Sequence, residues 1–178
     1  MRVVGGRLGG RTLSAPRGRA TRPTPERVRE ALFSILVSVE GARVLDLFAG
    51  SGALGIEALS RGAASATFVD PSAAAIAAIR RNLRELGIDA EVRRQSASSF
   101  LGGARGDARQ YDLVLLDPPY RHATTLGREL STALGPVLAP GARVVAESDR
   151  RAPLELGGLE RLDERRYGDT LIWIYGTR

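Results

Sequence analysis

The sequence predicts an α/β fold, with a doubly wound, seven-stranded and mostly parallel sheet in the order 3-2-1-4-5-7-6 and a small N-terminal β-hairpin. Short apolar runs alternate with amphipathic stretches, which favours parallel strands joined by right-handed helical crossovers. The first run is followed by Gly50-x-Gly52-x-x-Gly55, a spacing typical of the turn between a strand and a ligand-binding helix. Together these observations indicate a Rossmann-like arrangement.

Residues 1–23 are expected to form a basic arm that begins with the hairpin. Two short extended runs, Arg2–Val4 and Arg11–Leu13, are separated by two pairs of glycines, which favour tight turns. A two-stranded hairpin is only marginally stable alone, so we expect it to pack against the main domain, residues 24–178.

A first helix is predicted to start near Thr24 and Pro25. Threonine is a favoured N-cap residue, and proline fits the first helical position. The apolar residues that follow recur at helical spacing and form one continuous stripe that should face the core. They are Val28, Ala31, Leu32, Ile35, Leu36 and Val39.

The remaining elements alternate along the chain. Strand one is predicted at about 43–47 and its helix at 53–60. Strand two follows at 66–70, and the next helix starts at Ser72 and ends at Gly87, a common type of helix terminator. The later strands are predicted near 90–93, 111–116, 142–147, 160–166 and 170–175, with a loop at 102–109 and a helix that carries Leu126, Leu130 and Leu134 inward.

The composition narrows the possible chemistry. The 178-residue chain has no cysteine and one histidine, so we expect no disulfide, no thiolate nucleophile and no metal site. No apolar run approaches the length of a membrane span, and the first residues lack the apolar core of a signal peptide. We therefore expect a cytoplasmic monomer without membrane contacts.

The positive charge is concentrated in the arm. The formal net charge is +6, and residues 1–25 contain six arginines and no acidic residue, so this segment accounts for the whole excess. A basic arm ahead of a near-neutral domain favours a phosphate-rich partner, although a solvated tail can have the same composition. The candidate phosphate contacts are Arg7, Arg11, Arg17, Arg19 and Arg22.

The glycine turn and two aspartates predict a cofactor site. On its own, the turn fits NAD, FAD or S-adenosylmethionine. Asp46 ends strand one, where its charge would attract the ammonium of a methionine moiety and repel a pyrophosphate. Asp70 ends strand two, where a carboxylate can accept both ribose hydroxyls. The candidate cofactor contacts in this region are Asp46, Phe48, Ala49, Gly50, Ser51, Gly52 and Asp70.

The tetrapeptide Asp117-Pro118-Pro119-Tyr120 is the most specific signal for chemistry. Its prolines fix the backbone directly after a buried strand, so Asp117 and the Pro118 carbonyl can both accept hydrogen bonds from one –NH2 group. The ring of Tyr120 can stack on a planar base. Because strands one and four are neighbours in the predicted order, Asp46 and Asp117 should meet at one crevice. The pattern predicts methyl transfer to an exocyclic amine, with the tetrapeptide as the catalytic site.

These motifs resemble those of class I methyltransferases that act on exocyclic amino groups. More narrowly, the chain resembles the bacterial RsmD family over nearly its whole length. The segments that carry this narrower resemblance are Gly5-Gly6 to Gly10-Arg11, Arg22–Thr24, Val28–Glu30, Gly52–Arg61, Phe100-Leu101 and Val145–Ser148.

Enzymes of the RsmD family methylate N2 of a guanine in 16S rRNA of the small ribosomal subunit. The resemblance implies that the arm contacts this rRNA and that residues 117–120 hold the guanine amine. The family often has Asn or Asp before an alanine after strand three, where it contacts the cofactor adenine. This chain has Ser96 before Ala97, and a serine hydroxyl can still make that hydrogen bond. S-adenosylmethionine would be held by Asp46, Gly50, Gly52 and Asp70.

Four other functions share some of these features. An adenine-N6 or protein-glutamine methyltransferase could use a similar tetrapeptide, although the chain carries no obvious DNA target-recognition domain. An NAD-dependent oxidoreductase could use the glycine turn, but it leaves Asp46 and residues 117–120 unexplained. A non-catalytic RNA-binding assembly factor would account for the arm alone.

Overall fold

The computed structural model describes residues 1–16, 25–36, 38–104, 109–119 and 123–177, and the predicted fold is confirmed there. The strands are β1 Arg43–Leu47, β2 Ser65–Val69, β3 Glu91–Arg93, β4 Tyr111–Leu116, β5 Leu138–Asp149, β6 Glu160–Tyr167 and β7 Thr170–Gly176. The helices are α1 Glu26–Ile35, α2 Ala53–Ser60, α3 Ala73–Leu86, α4 Ala97–Ala104 and α5 Ala123–Ala133. The strands form one sheet in the order β3-β2-β1-β4-β5-β7-β6, parallel from β3 to β5 and antiparallel beyond it.

The helices cover both faces of the sheet. On one face, α1, α2 and α3 pack against a first core cluster that includes Val44 and Leu115; on the other, α4 and α5 pack against a second that includes Leu45 and Leu116. The central strands are therefore buried on both sides, which explains their continuous apolar sequences. Within the described ranges, no helix is long and apolar enough to cross a membrane.

Helix α4 lies partly where a loop was predicted. It runs through Gly102 and Gly103 to Ala104, and the predicted loop began at residue 102. Glycine costs about 1 kcal/mol relative to alanine inside a helix, which is why the sequence favoured a loop. Burial of Phe100 and Leu101 in the second core cluster stabilises the helix despite this cost.

Strand β5 is longer than the predicted segment 142–147. It begins at Leu138 and passes through Pro140 and Gly141, both of which are exposed. Its pairing with β4 shifts register between Tyr111 and Leu113. Such an irregularity accommodates a proline and a glycine that would otherwise weaken a central strand.

The first 16 residues form a loop that packs on the main domain. The predicted hairpin is present only as an antiparallel bridge between Arg2 and Thr12, with a 3-10 turn at Gly6–Leu8. Val3 and Leu8 are buried in the first core cluster, as is Leu13. The predicted boundary at residue 23 and the predicted N-cap Thr24 lie outside the described residues, so the division into arm and domain stays a prediction.

Helix α2 fixes this N-terminal segment in place. The backbone N–H groups of Val4 and Gly5 donate to the buried carboxylate of Glu57 over 2.7 and 2.8 Å. The N–H of Leu8 donates to the Ser60 hydroxyl over 2.9 Å. Since α2 directly follows the glycine turn, the segment is attached to the helix that opens the predicted cofactor site.

Candidate cofactor and nucleobase site

The carboxyl ends of β1, β2 and β4 bring three aspartates to one edge of the sheet. Asp46 is in β1, paired with Phe68 of β2 and Leu115 of β4. Asp70 directly follows β2, and Asp117 directly follows β4. The charges of Asp70 and Asp117 both act on Asp46. The structure therefore brings Asp46 and Asp117 to the same edge of the sheet, and their joint role in a ligand crevice stays a prediction.

Asp46 lies in an environment that disfavours a lone negative charge. The residue is 1% exposed, and its Oδ2 accepts a 2.9 Å hydrogen bond from the backbone N–H of Gly55 in α2. Burial raises the pKa of Asp46 to about 8 despite this bond, and the charges of Asp117 and Asp70 contribute to the rise. A cation bound at this edge would stabilise the ionised form.

The loop between β1 and α2 adopts unusual backbone conformations. Gly50 has φ 58° and Gly52 has φ 80°, values in the left-handed region that glycine tolerates without a steric penalty. Phe48 also lies there, with φ 64°, although it carries a bulky side chain. Strained backbone at a non-glycine residue is often found at ligand sites, and the sequence contained no signal for it.

Gly55, the third glycine of the motif, has a packing role. A β-carbon at this position would lie 2.4 Å from Cε1 of Phe68 and 3.1 Å from Oδ2 of Asp46. The missing side chain therefore lets α2 approach β2 closely. This leaves Gly50 and Gly52 as the glycines that shape the ligand-facing turn.

Asp70 holds the glycine turn against the end of β2. Its Oδ2 accepts the Gly50 N–H over 3.0 Å, and its Oδ1 accepts the Ser72 N–H over 2.8 Å. Each carboxylate oxygen can accept a further hydrogen bond. The predicted contact between Asp70 and the ribose hydroxyls stays a prediction that is compatible with this positioning role.

Asn82 is a residue of the site that the sequence reasoning missed. It lies in α3 and is 0% exposed; its Nδ2 donates to the carbonyl of Ser51 over 2.9 Å and to that of Ser14 over 3.0 Å. Its Oδ1 accepts the Ser14 N–H over 2.8 Å. One amide thus joins the N-terminal segment to the glycine turn. The available signal was an asparagine among the apolar positions of α3.

The other predicted site residues lie at the ends of β4 and β1 and at the start of α4. Pro118 is buried and Pro119 is exposed, whereas Tyr120 lies outside the described residues. Ala49 is buried in the glycine loop. The Ser96 hydroxyl accepts the Ser99 N–H over 3.2 Å at the start of α4, where Ala97 is buried. The adenine contact of this serine stays a prediction.

The arm arginines are only partly described. Arg7 and Arg11 are exposed, and Arg11 donates from Nη2 to the Glu85 carbonyl of α3 over 3.1 Å. The other three candidates, Arg17, Arg19 and Arg22, lie outside the described residues. Both described arginines are accessible to a polyanion, and their contact with nucleic acid stays a prediction.

The charges at this edge fit S-adenosylmethionine better than a dinucleotide. S-adenosylmethionine carries a sulfonium and an ammonium, which a cluster of Asp46, Asp70 and Asp117 would attract. A dinucleotide pyrophosphate would bring two negative charges toward the same three carboxylates. The glycine turn also permits close approach of a ligand to the backbone.

Comparison with known proteins adds independent findings. A family model described as conserved hypothetical protein 95 matches residues 1–176. The putative rRNA methyltransferase YlbH of Bacillus subtilis is 39% identical over 185 residues, which cover 100% of both chains. The ribosomal RNA small subunit methyltransferase D of Escherichia coli is 43% identical over 123 residues, 68% of this chain and 61% of that protein. A solved structure, the putative methyltransferase yhhF from Escherichia coli, superimposes with a TM-score of 0.84 at 35% identity, covering 100% of this chain and 98% of the other.

Proposed function

Because the chain belongs to the family described as conserved hypothetical protein 95, the RsmD family, we propose that it methylates the exocyclic N2 amine of a guanine in 16S rRNA. It is an S-adenosylmethionine-dependent rRNA methyltransferase with a class I fold. The observation that carries the site assignment is the convergence of Asp46, Asp70 and Asp117 beside a glycine turn. The choice of guanine N2 and of the small subunit is part of the proposal.

The cofactor side of the site holds a cationic ligand. When bound, S-adenosylmethionine supplies an electrophilic methyl group attached to a sulfonium. Asp46 stabilises the ligand's ammonium through its buried charge, while its bond to Gly55 keeps the carboxylate in place. Asp70 holds the Gly50 backbone and accepts from the ribose hydroxyls. Gly50 keeps the open side of the turn free of a side chain where the ligand lies against it, whereas a β-carbon at Gly52 would meet the core side chains of Phe68 and Ile79.

The nucleobase side of the site orients the amine. The lone pair of an exocyclic amine is delocalised into its ring, so the amine is a poor nucleophile and gains from accurate positioning. Asp117 and the Pro118 carbonyl accept its two N–H groups and hold the nitrogen in line with the methyl group. Such positioning can lower a barrier by about 7–11 kcal/mol in well-oriented reactions. Asp117 also takes the proton that nitrogen loses on methylation, and Tyr120 stacks on the base.

The RNA side of the proposal rests on the N-terminal segment. Its exposed arginines Arg7 and Arg11 contact the phosphate backbone. Arg17, Arg19 and Arg22, which lie outside the described residues, are further candidates for phosphate contacts. The target guanine leaves its stack to reach the amine pocket, as in other enzymes that modify a base. The protein acts as a monomer on rRNA or on an assembly intermediate of the small subunit.

A methylation assay with ribosomal particles tests the proposal. Particles from a strain that lacks the enzyme are incubated with the purified protein and labelled S-adenosylmethionine, and the modified nucleoside is identified and mapped. We expect N2-methylguanosine at one position of 16S rRNA. Label in an adenosine, in 23S rRNA or in protein would overturn the proposed substrate. Binding of NADH but not of S-adenosylhomocysteine in calorimetry would overturn the cofactor assignment.

A further inference from the structure

Glu147 follows β5 residue Ala146 at the position next to Asp117, the first residue of the proposed amine-binding tetrapeptide. Strand β5 pairs in parallel with β4, with Leu116 opposite Ala146. The residue that follows Leu116 is Asp117, and the residue that follows Ala146 is Glu147. Asp117 and Glu147 are therefore adjacent acidic residues at the carboxyl edge of the sheet, one after β4 and the other in β5.

The register also places Glu147 on the same face of the sheet as Asp46, the face covered by α1, α2 and α3. Asp46, Leu115 and Val145 are in register across β1, β4 and β5. Side chains two residues apart in a strand share a face, so Glu147 lies on the same face as Val145 and hence as Asp46. Its partner in β7 is Ile172, which belongs to the first core cluster, the cluster packed by α1, α2 and α3.

Glu147 is buried, which is unusual for a carboxylate. It is 5% exposed and follows the apolar residues Val144, Val145 and Ala146 of β5. Burying an acidic side chain costs free energy unless hydrogen bonds or charges compensate it. A buried acid at the ligand edge of the sheet is therefore a candidate for recognition of a hydrogen-bond donor.

Guanine offers the donors that such an acid recognises. Its Watson–Crick edge carries N1–H directly beside the N2 amine, whereas adenine has an unprotonated N1 on its edge. An ionised carboxylate can only accept hydrogen bonds, so it binds N1–H and repels a nitrogen lone pair. A carboxylate held next to the residues that bind the N2 amine can thus distinguish guanine from adenine through the atom at N1.

We propose that Glu147 accepts a hydrogen bond from N1–H of the target guanine while Asp117 and the Pro118 carbonyl hold its N2 amine. Glu147 is then the residue that selects guanine over adenine. This inference rests on the proposed function, because it specifies how the same site chooses its base. A carboxylate has about four acceptor positions, so Glu147 can accept from the base and keep other partners within the protein.

A base analogue separates recognition from a structural role. The substrate is the rRNA fragment containing the mapped guanine, prepared with guanine or with 2-aminopurine at that position. 2-Aminopurine keeps the exocyclic amine but has a lone pair on N1. We expect the wild-type enzyme to prefer guanine by about 100-fold or more in kcat/KM, because a site built for a donor rejects an analogue that lacks it.

The variant Glu147→Gln provides the decisive comparison. A glutamine amide can donate to the N1 lone pair of 2-aminopurine, so we expect the guanine preference to narrow by about tenfold or more. The matched control is Ser148→Ala, the next residue, which is also buried but faces the second core cluster through its partner Leu171. We expect this control to keep the wild-type preference.

The possible outcomes are distinct. An unchanged preference in Glu147→Gln, with wild-type affinity for S-adenosylhomocysteine, would overturn the inference. If Glu147→Gln loses that affinity or fails to fold, Glu147→Asp decides, because it keeps the carboxylate but shortens its reach toward the base by one methylene. A narrower guanine preference with wild-type affinity for S-adenosylhomocysteine supports the inference, and an unchanged preference contradicts it. Failure of the wild-type enzyme to methylate guanine would instead overturn the proposed function.

Discussion

The carboxylate of Asp46 and the backbone N–H of Gly55 form a buried 2.9 Å hydrogen bond that ties the end of β1 to the first turn of α2. This bond stabilises the ionised carboxylate, but burial and the neighbouring acids outweigh it and raise the pKa of Asp46 to about 8. Near neutral pH, the site therefore carries a proton that a cationic ligand must displace.

Binding of S-adenosylhomocysteine should depend on pH through Asp46. The ligand's ammonium favours the ionised carboxylate, so binding below pH 8 requires loss of the proton from Asp46. We expect the affinity to rise as pH increases from about 6 to 8, by up to about tenfold per pH unit, and then to level off. Calorimetry in two buffers with different ionisation enthalpies should detect proton release near pH 7.

The variant Asp46→Asn is the control for this assignment. It keeps an oxygen that can accept from Gly55 but removes the titrating group. We expect this variant to bind S-adenosylhomocysteine more weakly than the wild type, with an affinity that no longer changes between pH 6 and pH 8. A variant that retains the wild-type pH dependence would show that another group titrates.

The substitution Gly55→Ala should destabilise the protein through a steric clash. The added β-carbon would lie 2.4 Å from Cε1 of Phe68, so α2 or the ring must shift. We expect a loss of about 1–3 kcal/mol in the free energy of unfolding, measured with urea. Gly102→Ala in α4 is the matched control, because its β-carbon meets no atom within 4 Å and alanine favours a helix by about 1 kcal/mol. Equal effects of the two substitutions would contradict the packing role of Gly55.

Asn82→Ala should weaken both stability and cofactor binding. The change removes three hydrogen bonds and leaves the backbone groups of Ser14 and the carbonyl of Ser51 without this partner. We expect a loss of about 2–4 kcal/mol in the free energy of unfolding and a weaker affinity for S-adenosylhomocysteine. Arg81→Ala, an exposed neighbour on α3, is the control and should change neither quantity measurably. If a folded Asn82→Ala keeps the wild-type affinity for S-adenosylhomocysteine, the hydrogen bonds of Asn82 do not contribute to cofactor binding.

The sheet was predictable because its central strands are buried on both faces. Runs such as Leu113–Leu116 are continuously apolar, and alternation with amphipathic helices restricts their order. The end of helix α4 was not predictable because Gly102 and Gly103 oppose helix formation, and burial of Phe100 and Leu101 against distant elements overrides them. Local propensity cannot report a contact that forms between distant elements.

The site was predictable where topology alone decides it. Asp46 and Asp117 lie at the same edge of the sheet because β1 and β4 are neighbours, whatever their separation in the chain, and the charge of Asp117 acts on Asp46. The contacts of Asn82 with Ser14 and Ser51 depend on the path of the N-terminal segment, which leaves no periodic pattern in the sequence. The left-handed conformation of Phe48 has no sequence signal either, because that region is usually occupied by glycine or asparagine.

Asp117→Ala should reduce methyl transfer without abolishing cofactor binding. The substitution removes one of the two acceptors that we propose for the amine, so kcat should fall by about tenfold or more. Affinity for S-adenosylhomocysteine should largely persist. Asp112→Asn is the matched control, because this acid lies at the opposite end of β4 in an exposed ion pair with Arg43. Unchanged turnover in Asp117→Ala would refute its role at the amine.

Arg7 and Arg11 allow the RNA contact of the N-terminal segment to be tested without unfolding it. Deleting the segment would also remove the buried side chains of Val3, Leu8 and Leu13, so a failure to bind RNA would be uninterpretable. The double variant Arg7→Gln and Arg11→Gln removes two exposed charges and the surface hydrogen bond from Arg11 to the Glu85 carbonyl, and it leaves the buried side chains in place. If both residues neutralise phosphates, the slope of log K against log salt should become shallower by about 0.7–0.9 for each phosphate that is no longer neutralised.

The control for the arm must remove the same charge from another surface. Arg165 and Arg166 on β6 are exposed and form ion pairs with Asp163 and Glu164. Replacing both with glutamine lowers the net charge equally, but these pairs leave little free positive charge for a phosphate. We expect the control to retain the wild-type salt slope and the arm variant to show a shallower one. Equal slopes in the two variants would show that Arg7 and Arg11 contribute only through the overall charge of the protein.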